Sequence, residues 1–389
     1  MSKSPLNNPR LKTAAIMPLP SGRSARSPTE SRSGLLGDTL ARLSPLNDAA
    51  MEAARLRQAT LTKPPGSLGR LEDLSVQLAG ILQTPTPRLS GKKVVIVAAG
   101  DHGVTAEGVS AYPSEVTAQM VLNFLRGGAA ICVMARTVGC EVVIVDAGVA
   151  SDLPVHPNLR RLSIRRGTAN MARGPAMSRD EAVRCLEEGI RLAKEQVAAG
   201  ADVLATGDMG IGNTTSASAI TVAITGADPE RATGRGAGVD EDALRHKVAV
   251  VRRALKLNRP KPSDGVDVLS KVGGLEIGVL AGVILGGAAE RRPVVLDGFI
   301  AGAAALIACV LSPHVRSYLV ASHRSAEQGH RIALRHLRLR PLLDLKMRLG
   351  EGTGAMLALP IVDAAWRTLA EMATFADAGV SSRADGGRA

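Results

Sequence analysis

Aromatic side chains are scarce in this chain: its 389 residues include one Trp, two Tyr and three Phe. Proteins that bind single-stranded nucleic acid stack the bases on exposed aromatic rings, so this scarcity argues against such a partner. The net charge of +12 does not reverse the argument, because residues 1–45 hold seven of the basic side chains against two acidic ones in a Ser/Pro-rich segment. We therefore expect no nucleic-acid partner, and we predict that residues 1–43 form a disordered basic extension.

Cysteines and long apolar runs are also few. The apolar run at 277–289 is too short to cross a bilayer, and the run at 294–311 is interrupted by Asp297 and Gly298. The N-terminus lacks the apolar segment of a secretory signal. Widely spaced cysteines without a CxxC pair indicate reduced thiols and neither a disulfide framework nor a zinc site; they are Cys132, Cys140, Cys185 and Cys309. We expect a cytoplasmic protein without a membrane span.

From residue 93 onward, short apolar runs alternate with longer helical patterns. The runs predicted to be buried parallel strands are 94–98, 142–145, 202–205, 294–296 and 318–321. Amphipathic helices are predicted between them at 115–136, 178–199 and 240–257, and Ser178 and Glu181 form a capping box. This alternation predicts an α/β fold: a doubly wound, mostly parallel sheet with helices on both faces.

The length exceeds what one hydrophobic core usually holds, which predicts a second, smaller domain. Helical patterns lie at 44–61 and 70–82 before the sheet, and at 341–347 and from 356 to about 375 after it. The predicted domains are a small helical one formed by 44–88 plus 341–376, a large α/β nucleotide-binding one at 89–340, and a flexible tail at 377–389.

A polar, glycine-rich turn follows each predicted strand. In open α/β sheets ligands bind outside the carboxyl ends of the strands, so these turns predict one crevice that binds a small molecule. The turn at 207–215 is the most informative, since Gly207, Gly210 and Gly212 lead to Asn-Thr-Thr at a helix start. Backbone N–H groups at such a start can hold phosphate. The turn is not a Walker A loop, because no Lys-Ser/Thr pair follows its last glycine.

A second glycine-rich turn, at 349–355, has one carboxylate, Glu351, at its centre. Flanking glycines let a ligand approach closely, which suggests a general base; a solvated turn residue is the alternative. Other positions also keep two interpretations. The turn at 234–238 is a connector or a substrate contact, and Lys247 is solvated unless the substrate carries phosphate. Asp297 is expected to cap the helix that follows it.

His102 and His323 each follow a predicted strand. No HxxxH or paired-carboxylate spacing supports a metal site around them, so we expect hydrogen-bonded histidines in the crevice and no metal or other cofactor.

Several motifs in order resemble one known family. They lie at 63–69 (KPPGSLG), 99–104 (AGDHGV), 115–117, 207–215, 234–240, 296–299, 322–325 (SHRS) and 349–355. In this order the chain resembles the nicotinate-nucleotide:dimethylbenzimidazole phosphoribosyltransferases of cobalamin nucleotide-loop assembly, over about residues 45 to 375. The resemblance implies transfer of the 5-phosphoribosyl group from nicotinate mononucleotide to 5,6-dimethylbenzimidazole. The implied products are α-ribazole 5'-phosphate and nicotinate, formed with inversion at the anomeric carbon by a metal-independent homodimer.

The resemblance also implies roles for individual residues. Glu351 falls on the family's catalytic glutamate, which takes the proton from the benzimidazole nitrogen. The implied phosphoribosyl-binding residues are Asp208, Gly210, Gly212, Asn213, Thr214, Thr215, Gly236, Lys247, Ser322, Ser325, Gly352, Thr353 and Gly354. Those that would border the acceptor base are Asp101, His102, Tyr112, Gln119, Met120, Met209 and Leu349.

Two positions depart from the family pattern. Asp208 stands where a Glu is usual, and Tyr112 stands where a smaller residue is frequent. Two alternatives therefore stay open at this point: the same reaction on another acceptor such as adenine or a phenol, and a nucleotide-sensing homologue without turnover.

Overall fold

A six-stranded, all-parallel sheet forms the centre of the molecule. The computed structural model describes residues 34–162, 164–236, 238 and 240–381. The strands are β1 (Lys93–Gly100), β2 (Cys140–Gly148), β3 (Leu159–Arg161), β4 (Val203–Met209), β5 (Val294–Leu296) and β6 (Leu319–Ala321). Their spatial order is β3-β2-β1-β4-β5-β6. The predicted strands are confirmed, and β3 was not predicted because it is three residues long with only Leu159 buried.

Helices cover the sheet on both faces, which confirms the predicted fold class. They are α1 (Leu35–Arg42), α2 (Asp48–Thr60), α3 (Arg70–Leu82), α4 (Glu115–Leu125), α5 (Ala130–Val138), α6 (Arg179–Ala198), α7 (Asn213–Thr225), α8 (Pro229–Ala232), α9 (Glu241–Asn258), α10 (Gly265–Val272), α11 (Leu275–Ala289), α12 (Phe299–Leu311), α13 (Gln328–Leu337), α14 (Thr353–Glu371) and α15 (Phe375–Ala378). All eight residues of β1 are buried, as expected for a central strand that packs on both sides. The capping box of Ser178 and Glu181 at the start of α6 is confirmed.

The stretch predicted as one helix at 115–136 is divided in the structure. Helix α4 ends at Leu125 and α5 begins at Ala130. Gly127 between them has φ +75°, a left-handed conformation that glycine adopts without a steric penalty and that ends the first helix. The break gives α5 an N-terminus of its own beside the sheet.

The same stretch, 115–138, is long and apolar enough to cross a membrane by length and composition alone, and 39% of its apolar 18-residue window is buried. In the structure its two helices have 11 and 9 residues. Each is shorter than the roughly 20 residues that a bilayer requires.

Part of each segment predicted at the ends of the chain is helical in the structure. Residues 35–42 of the predicted extension form α1, whose first turn is held by a hydrogen bond from Leu36 N to Glu187 Oε1 at 3.2 Å. Residues 1–33 of that extension and 382–389 of the predicted tail lie outside the described residues. At the start of the tail, Asp377 takes part in a capping box with Thr374 in α15.

The helix predicted at 341–347 is also absent from the described structure. Its backbone instead lies beside the carboxyl end of β6 and forms hydrogen bonds with it. Leu342 N donates to Ala321 O at 3.0 Å, and Arg324 N donates to Leu343 O at 2.8 Å. Helices α2 and α3, which precede the sheet in the sequence, pack with α14, which follows it. They share a small apolar cluster of Ala54, Val76, Ala79 and Leu369. The division of the chain into domains remains a prediction.

Candidate active site

A cavity of about 680 Å³ opens beyond the carboxyl end of β4. It lies where the strand order reverses between β1 and β4, which is where doubly wound sheets bind ligands. Its walls are formed by Val109, Ser110, Tyr112, Val116, Met120, Asp208, Met209, Gly210, Ile211, Gly212, Asn213, Thr214, Gly236, Lys247, Glu327, Arg348, Leu349 and Glu351. The predicted site residues from the β4 turn and the Glu351 turn therefore meet at one cavity.

Two carboxyl groups, Glu351 and Asp208, form what we call the carboxylate end of the cavity. Glu351 is 5% exposed, and its Oε2 accepts a hydrogen bond from Ile131 N at 3.2 Å, at the start of α5. Burial raises the pKa of Glu351, and the Ile131 N–H opposes that rise. A carboxylate with a raised pKa that faces a cavity has the properties of a general base.

The backbone of Glu351 is held in an unusual conformation. Its φ of +63° is in the left-handed region, which costs a non-glycine residue about 1–3 kcal/mol and persists only where the surroundings impose it. Glu351 N donates to Asp208 O at 3.2 Å, and Gly207 lies so close that any Cβ there would collide with the Glu351 carbonyl. Glycine at 207 thus serves the close approach of β4 to the Glu351 turn.

Asp208 is buried beside this turn. One of its oxygens, Oδ2, accepts from Asn213 Nδ2 at 3.0 Å, while Oδ1 has no hydrogen-bond partner within the described parts of the chain. Burial, and then the nearby carboxylates of Asp297 and Glu276, raise the pKa of Asp208 well above its usual value. These shifts favour the protonated form of Asp208, which can donate a hydrogen bond into the cavity.

Another part of the cavity wall, which we call the cationic end, is formed by Lys247, Arg348 and the turn at Gly236. Lys247 is 1% exposed, and its Nζ donates to Thr214 Oγ1 at 2.8 Å. Burial lowers the pKa of Lys247 to about 8, and the charge of Glu327 opposes this. Arg348 Nη1 donates to Gly236 O at 2.8 Å. Lys247 is therefore not a solvated surface residue, and its contact with a phosphate remains a prediction.

Helix α7 begins at the cationic end. Its N-cap is Gly212, and no side chain in the described structure caps its first turn. Together with Lys247 and Thr214, this uncapped turn offers donors and positive charge to an anion. Glu327 is the carboxylate that lies at the cationic end among the described residues. Its Oε2 has no hydrogen-bond partner there. No sequence signal marks Glu327 or Arg348, since neither belongs to a glycine-rich turn.

Apolar side chains line the cavity wall near the carboxylate end. Met120, Met209, Tyr112 and Leu349 are among them, and their contact with an aromatic acceptor remains a prediction. Tyr112 and Leu349 are 53% and 59% exposed, which places them at the mouth. Gln119 is exposed on α4 and is not part of the wall.

Asp101 and His102 lie behind the cavity and do not reach its wall. The ring of His102 is fully buried, with Nε2 2.7 Å from Glu276 Oε1 and Nδ1 3.0 Å from Ser216 Oγ. It packs against the backbone of the β4 turn, because a Cβ at Gly210 would lie 3.4 Å from the ring atoms Cδ2 and Nε2. Asp101 Oδ2 accepts from Ala150 N at 2.8 Å. The positions of Asp101 and His102 therefore do not support their predicted contact with the acceptor base.

The remaining predicted residues also lie outside the cavity wall. Thr215 is fully buried in α7, and Ser322 and Ser325 are buried in the turn after β6. Gly352, Thr353 and Gly354 form the start of α14, behind Glu351. These residues underlie the turns that line the cavity.

The expectation for Asp297 was wrong. Helix α12, which follows it, has Gly298 as its N-cap and no side-chain cap. The Asp297 carboxylate instead accepts hydrogen bonds from Gly352 N and Gly354 N, at the start of α14. Sequence spacing could not reveal this contact, because it joins segments more than fifty residues apart.

The turn after β2 does not join the others at the cavity. Asp146 and Gly148 line a separate polar cavity of about 270 Å³ together with Arg161 and Arg165. The cavity is therefore lined by the β4 turn, the Glu351 turn and the segment that follows β1, and the turns after β5 and β6 lie outside its wall. Among the residues described, no group of three or more His, Cys, Asp or Glu side chains has an arrangement that could hold a metal ion. The expected independence from metals remains a prediction.

Comparison with known proteins adds an independent finding. A family model described as "Phosphoribosyltransferase" matches residues 43–380. The chain is 59% identical over 351 residues to nicotinate-nucleotide–dimethylbenzimidazole phosphoribosyltransferase of Roseiflexus sp. (strain RS-1), covering 90% of this chain and 99% of that relative. It is also 59% identical over 349 residues to the protein of the same name from Chloroflexus aggregans, covering 90% and 99%. Among solved structures, CobT from Thermus thermophilus is similar with a TM-score of 0.83 and 51% identity, over 86% of this chain and 100% of that one.

Proposed function

Because this chain belongs to the phosphoribosyltransferase family that matches residues 43–380, we propose that it transfers the 5-phosphoribosyl group of nicotinate mononucleotide to 5,6-dimethylbenzimidazole. The products are α-ribazole 5'-phosphate and nicotinate. The observation that carries the proposal is that Glu351, a buried carboxylate with a raised pKa, and the buried cation Lys247 line the same cavity. The reaction requires both groups, a base at the acceptor and a cation at the phosphate.

The proposed step moves one proton and exchanges one carbon–nitrogen bond. Glu351 accepts the proton from one ring nitrogen of dimethylbenzimidazole, and the other ring nitrogen attacks C1' of the ribose. The bond from C1' to the nicotinate nitrogen breaks, and its electron pair neutralises the positive charge of the pyridinium ring. The leaving group needs no proton, so one base at the acceptor suffices and the remaining catalysis is positioning and charge complementarity.

The cationic end is proposed to bind the 5'-phosphate. Lys247 Nζ and Thr214 Oγ1 lie 2.8 Å apart beside the uncapped start of α7, so both can donate to one phosphate group. The apolar wall near Glu351, with Met120 and Met209, is suited to a flat aromatic acceptor. The two substrates would then lie along the cavity, with C1' between its ends.

We include a homodimer and a cytoplasmic location in the proposal. Val133 on α5 is 50% exposed, and only 39% of the apolar window within 115–138 is buried, which leaves apolar surface for a second copy of the chain. The cysteines of the chain are free thiols, as in a reducing compartment. Light scattering of the purified protein would measure the oligomeric state, and a monomer at micromolar concentration would contradict the dimer.

The test is product formation from nicotinate mononucleotide and dimethylbenzimidazole, with the wild type compared with Glu351→Ala. We expect α-ribazole 5'-phosphate and nicotinate in equal amounts from the wild type, and a loss of roughly 10²-fold or more in the variant. Equal rates in both would remove Glu351 from the role of base. Absence of product from the folded wild type would contradict the activity itself; adenine and phenols would then be tried as acceptors, and failure with these would favour a nucleotide sensor.

A further inference from the structure

Asp297 lies behind the cavity and takes no part in the proposed bond changes. It follows β5 directly and is 1% exposed. Its Oδ1 accepts from Gly354 N at 2.7 Å and from Ala355 N at 3.3 Å, and its Oδ2 accepts from Gly352 N at 3.1 Å. The three donors are the free N–H groups of the first turn of α14, which begins immediately after Glu351. One carboxylate thus holds the segment that carries the proposed base.

We propose that Asp297 is a positioning residue for Glu351: its carboxylate fixes the first turn of α14 and thereby holds the base in the cavity wall. This inference rests on the proposed role of Glu351. Glu351 needs such support because its φ of +63° is a strained conformation. Without a clamp at Gly352 and Gly354, the turn can relax toward an ordinary conformation, which turns the Glu351 side chain away from Ile131.

The chemistry of this clamp requires a carboxylate. An ionised carboxyl group offers acceptor sites on both oxygens and no donor, so it can satisfy all three N–H groups at once. Negative charge at a helix N-terminus is additionally stabilised by the helix dipole. Burial raises the pKa of Asp297 to about 7, against the lowering effect of the three N–H donors. An Asn at this position presents an NH2 group to one of the same donors and leaves that backbone group unsatisfied.

The turns after β5 and β6 hold Asp297 in turn. Ser322 Oγ donates to Asp297 O at 3.0 Å and lies 3.1 Å from His323 Nδ1. The His323 ring packs against Gly354 so closely that any Cβ there would overlap it. Ser322 and Gly354, predicted to bind the phosphoribosyl group, therefore act on the site through the Asp297 clamp.

The experiment compares Asp297→Asn and Asp297→Ala with wild type, Glu351→Gln and a matched control, Asp146→Asn. Asp146 is also a carboxyl group at the end of a strand that accepts from a backbone N–H, that of Val149 at 2.8 Å, but it lines the separate polar cavity. For Asp297→Asn we expect a roughly 10- to 100-fold lower kcat with a KM for nicotinate mononucleotide within about twofold of wild type, because misplacing a base costs rate more than donor binding. The control should keep the wild-type kcat.

Two further measurements separate positioning from a general structural defect. The acid limb of the kcat profile should shift to lower pH in Asp297→Asn, because a loosened turn exposes Glu351 and removes the burial that raises its pKa. Amide hydrogen exchange should become faster in peptides that cover residues 350–356 and stay unchanged around β2. Wild-type kcat in a folded Asp297→Asn, or a lower kcat with an unshifted acid limb and unchanged exchange, would overturn the inference. If the wild type forms no product the proposed function fails instead, and the exchange comparison still decides whether Asp297 holds the turn.

Discussion

The two ends of the cavity bury opposite charges and treat them differently. At the carboxylate end, Glu351 is held by one backbone N–H, and Asp208 keeps an oxygen with no partner among the described residues. At the cationic end, Lys247 is held by a neutral hydroxyl, and the start of α7 has no side-chain cap in the described structure. Burial favours the neutral form of each group: it raises the pKa of the two acids and lowers the pKa of the lysine.

This difference fits the two proposed roles: proton transfer at the carboxylate end and phosphate binding at the cationic end. A base must accept a proton during the reaction, so a raised pKa near its donor's range serves it. A phosphate site needs a cation that stays protonated, and the bound dianion itself restores that charge. The carboxylate end is thus built to change its charge state and the cationic end to be completed by the ligand. Variants at the two ends should therefore differ in their effects on kcat, KM and pH dependence.

The largest expected effect is at the carboxylate end. Glu351→Gln keeps the shape of the side chain and its contact with Ile131 N but removes the base, so kcat should fall by roughly 10²- to 10⁴-fold. The KM for nicotinate mononucleotide should stay within about twofold, because the donor phosphate binds at the other end. Steady-state kinetics with both substrates measures the split. Glu371→Gln changes an exposed carboxylate on α14, the helix that follows the Glu351 turn; it is the control and should behave as wild type. A large increase in donor KM with unchanged kcat would mean that Glu351 binds the donor.

The cationic end should show the opposite split. Lys247→Met removes the charge and the hydrogen bond to Thr214 while nearly preserving volume, so the KM for nicotinate mononucleotide should rise roughly 10- to 100-fold, the value of a charged hydrogen bond. The KM for dimethylbenzimidazole should change little. Lys256→Met changes an exposed lysine of the same helix and serves as the control. An effect confined to kcat would contradict phosphate binding by Lys247.

The pH dependence should be set by Lys247 on the alkaline side. Its pKa is lowered by burial to about 8, so the free enzyme carries the ammonium below that pH and loses it as the pH rises through 8. The value of kcat/KM for nicotinate mononucleotide should therefore begin to fall at about pH 7, reach half of its plateau near pH 8, and fall by up to about tenfold per pH unit above that. In Lys247→Arg the guanidinium stays charged and the alkaline fall should disappear. A wild-type profile that stays level to about pH 9.5 would place the lysine in a different environment.

The glycine-rich turns at the two ends were predictable from the sequence because each depends on local signals. Glycines at 207, 210 and 212 before Asn213 marked the phosphate turn, and glycines on both sides marked Glu351. Alternating apolar runs predicted the sheet that brings these turns together, and the resemblance to a family supplied the roles.

The supports of the site could not be predicted in the same way. Asp297 contacts Gly352 and Gly354 across the fold, and His102 pairs with Glu276 on a distant helix. The N–H that holds Glu351 exists only because a left-handed glycine divides the stretch predicted as one helix. Such contacts depend on how segments far apart in the chain are packed, which periodicity and spacing do not report.

The smallest effect is expected at Asp208, and it tests the contrast within the carboxylate end itself. Burial and the neighbouring carboxylates raise its pKa well above the usual value and so favour its neutral form, which Asn resembles in shape and polarity. Asp208→Asn can still accept from Asn213, so kcat should fall by less than about tenfold, far less than in Glu351→Gln. Asp208→Ala removes this contact and should cost more than Asn. A loss in Asp208→Asn as large as that in Glu351→Gln, at pH 7, would mean that Asp208 works as an anion. The proton-handling role would then belong to the pair of carboxylates, and the end of the cavity would act as one coupled group.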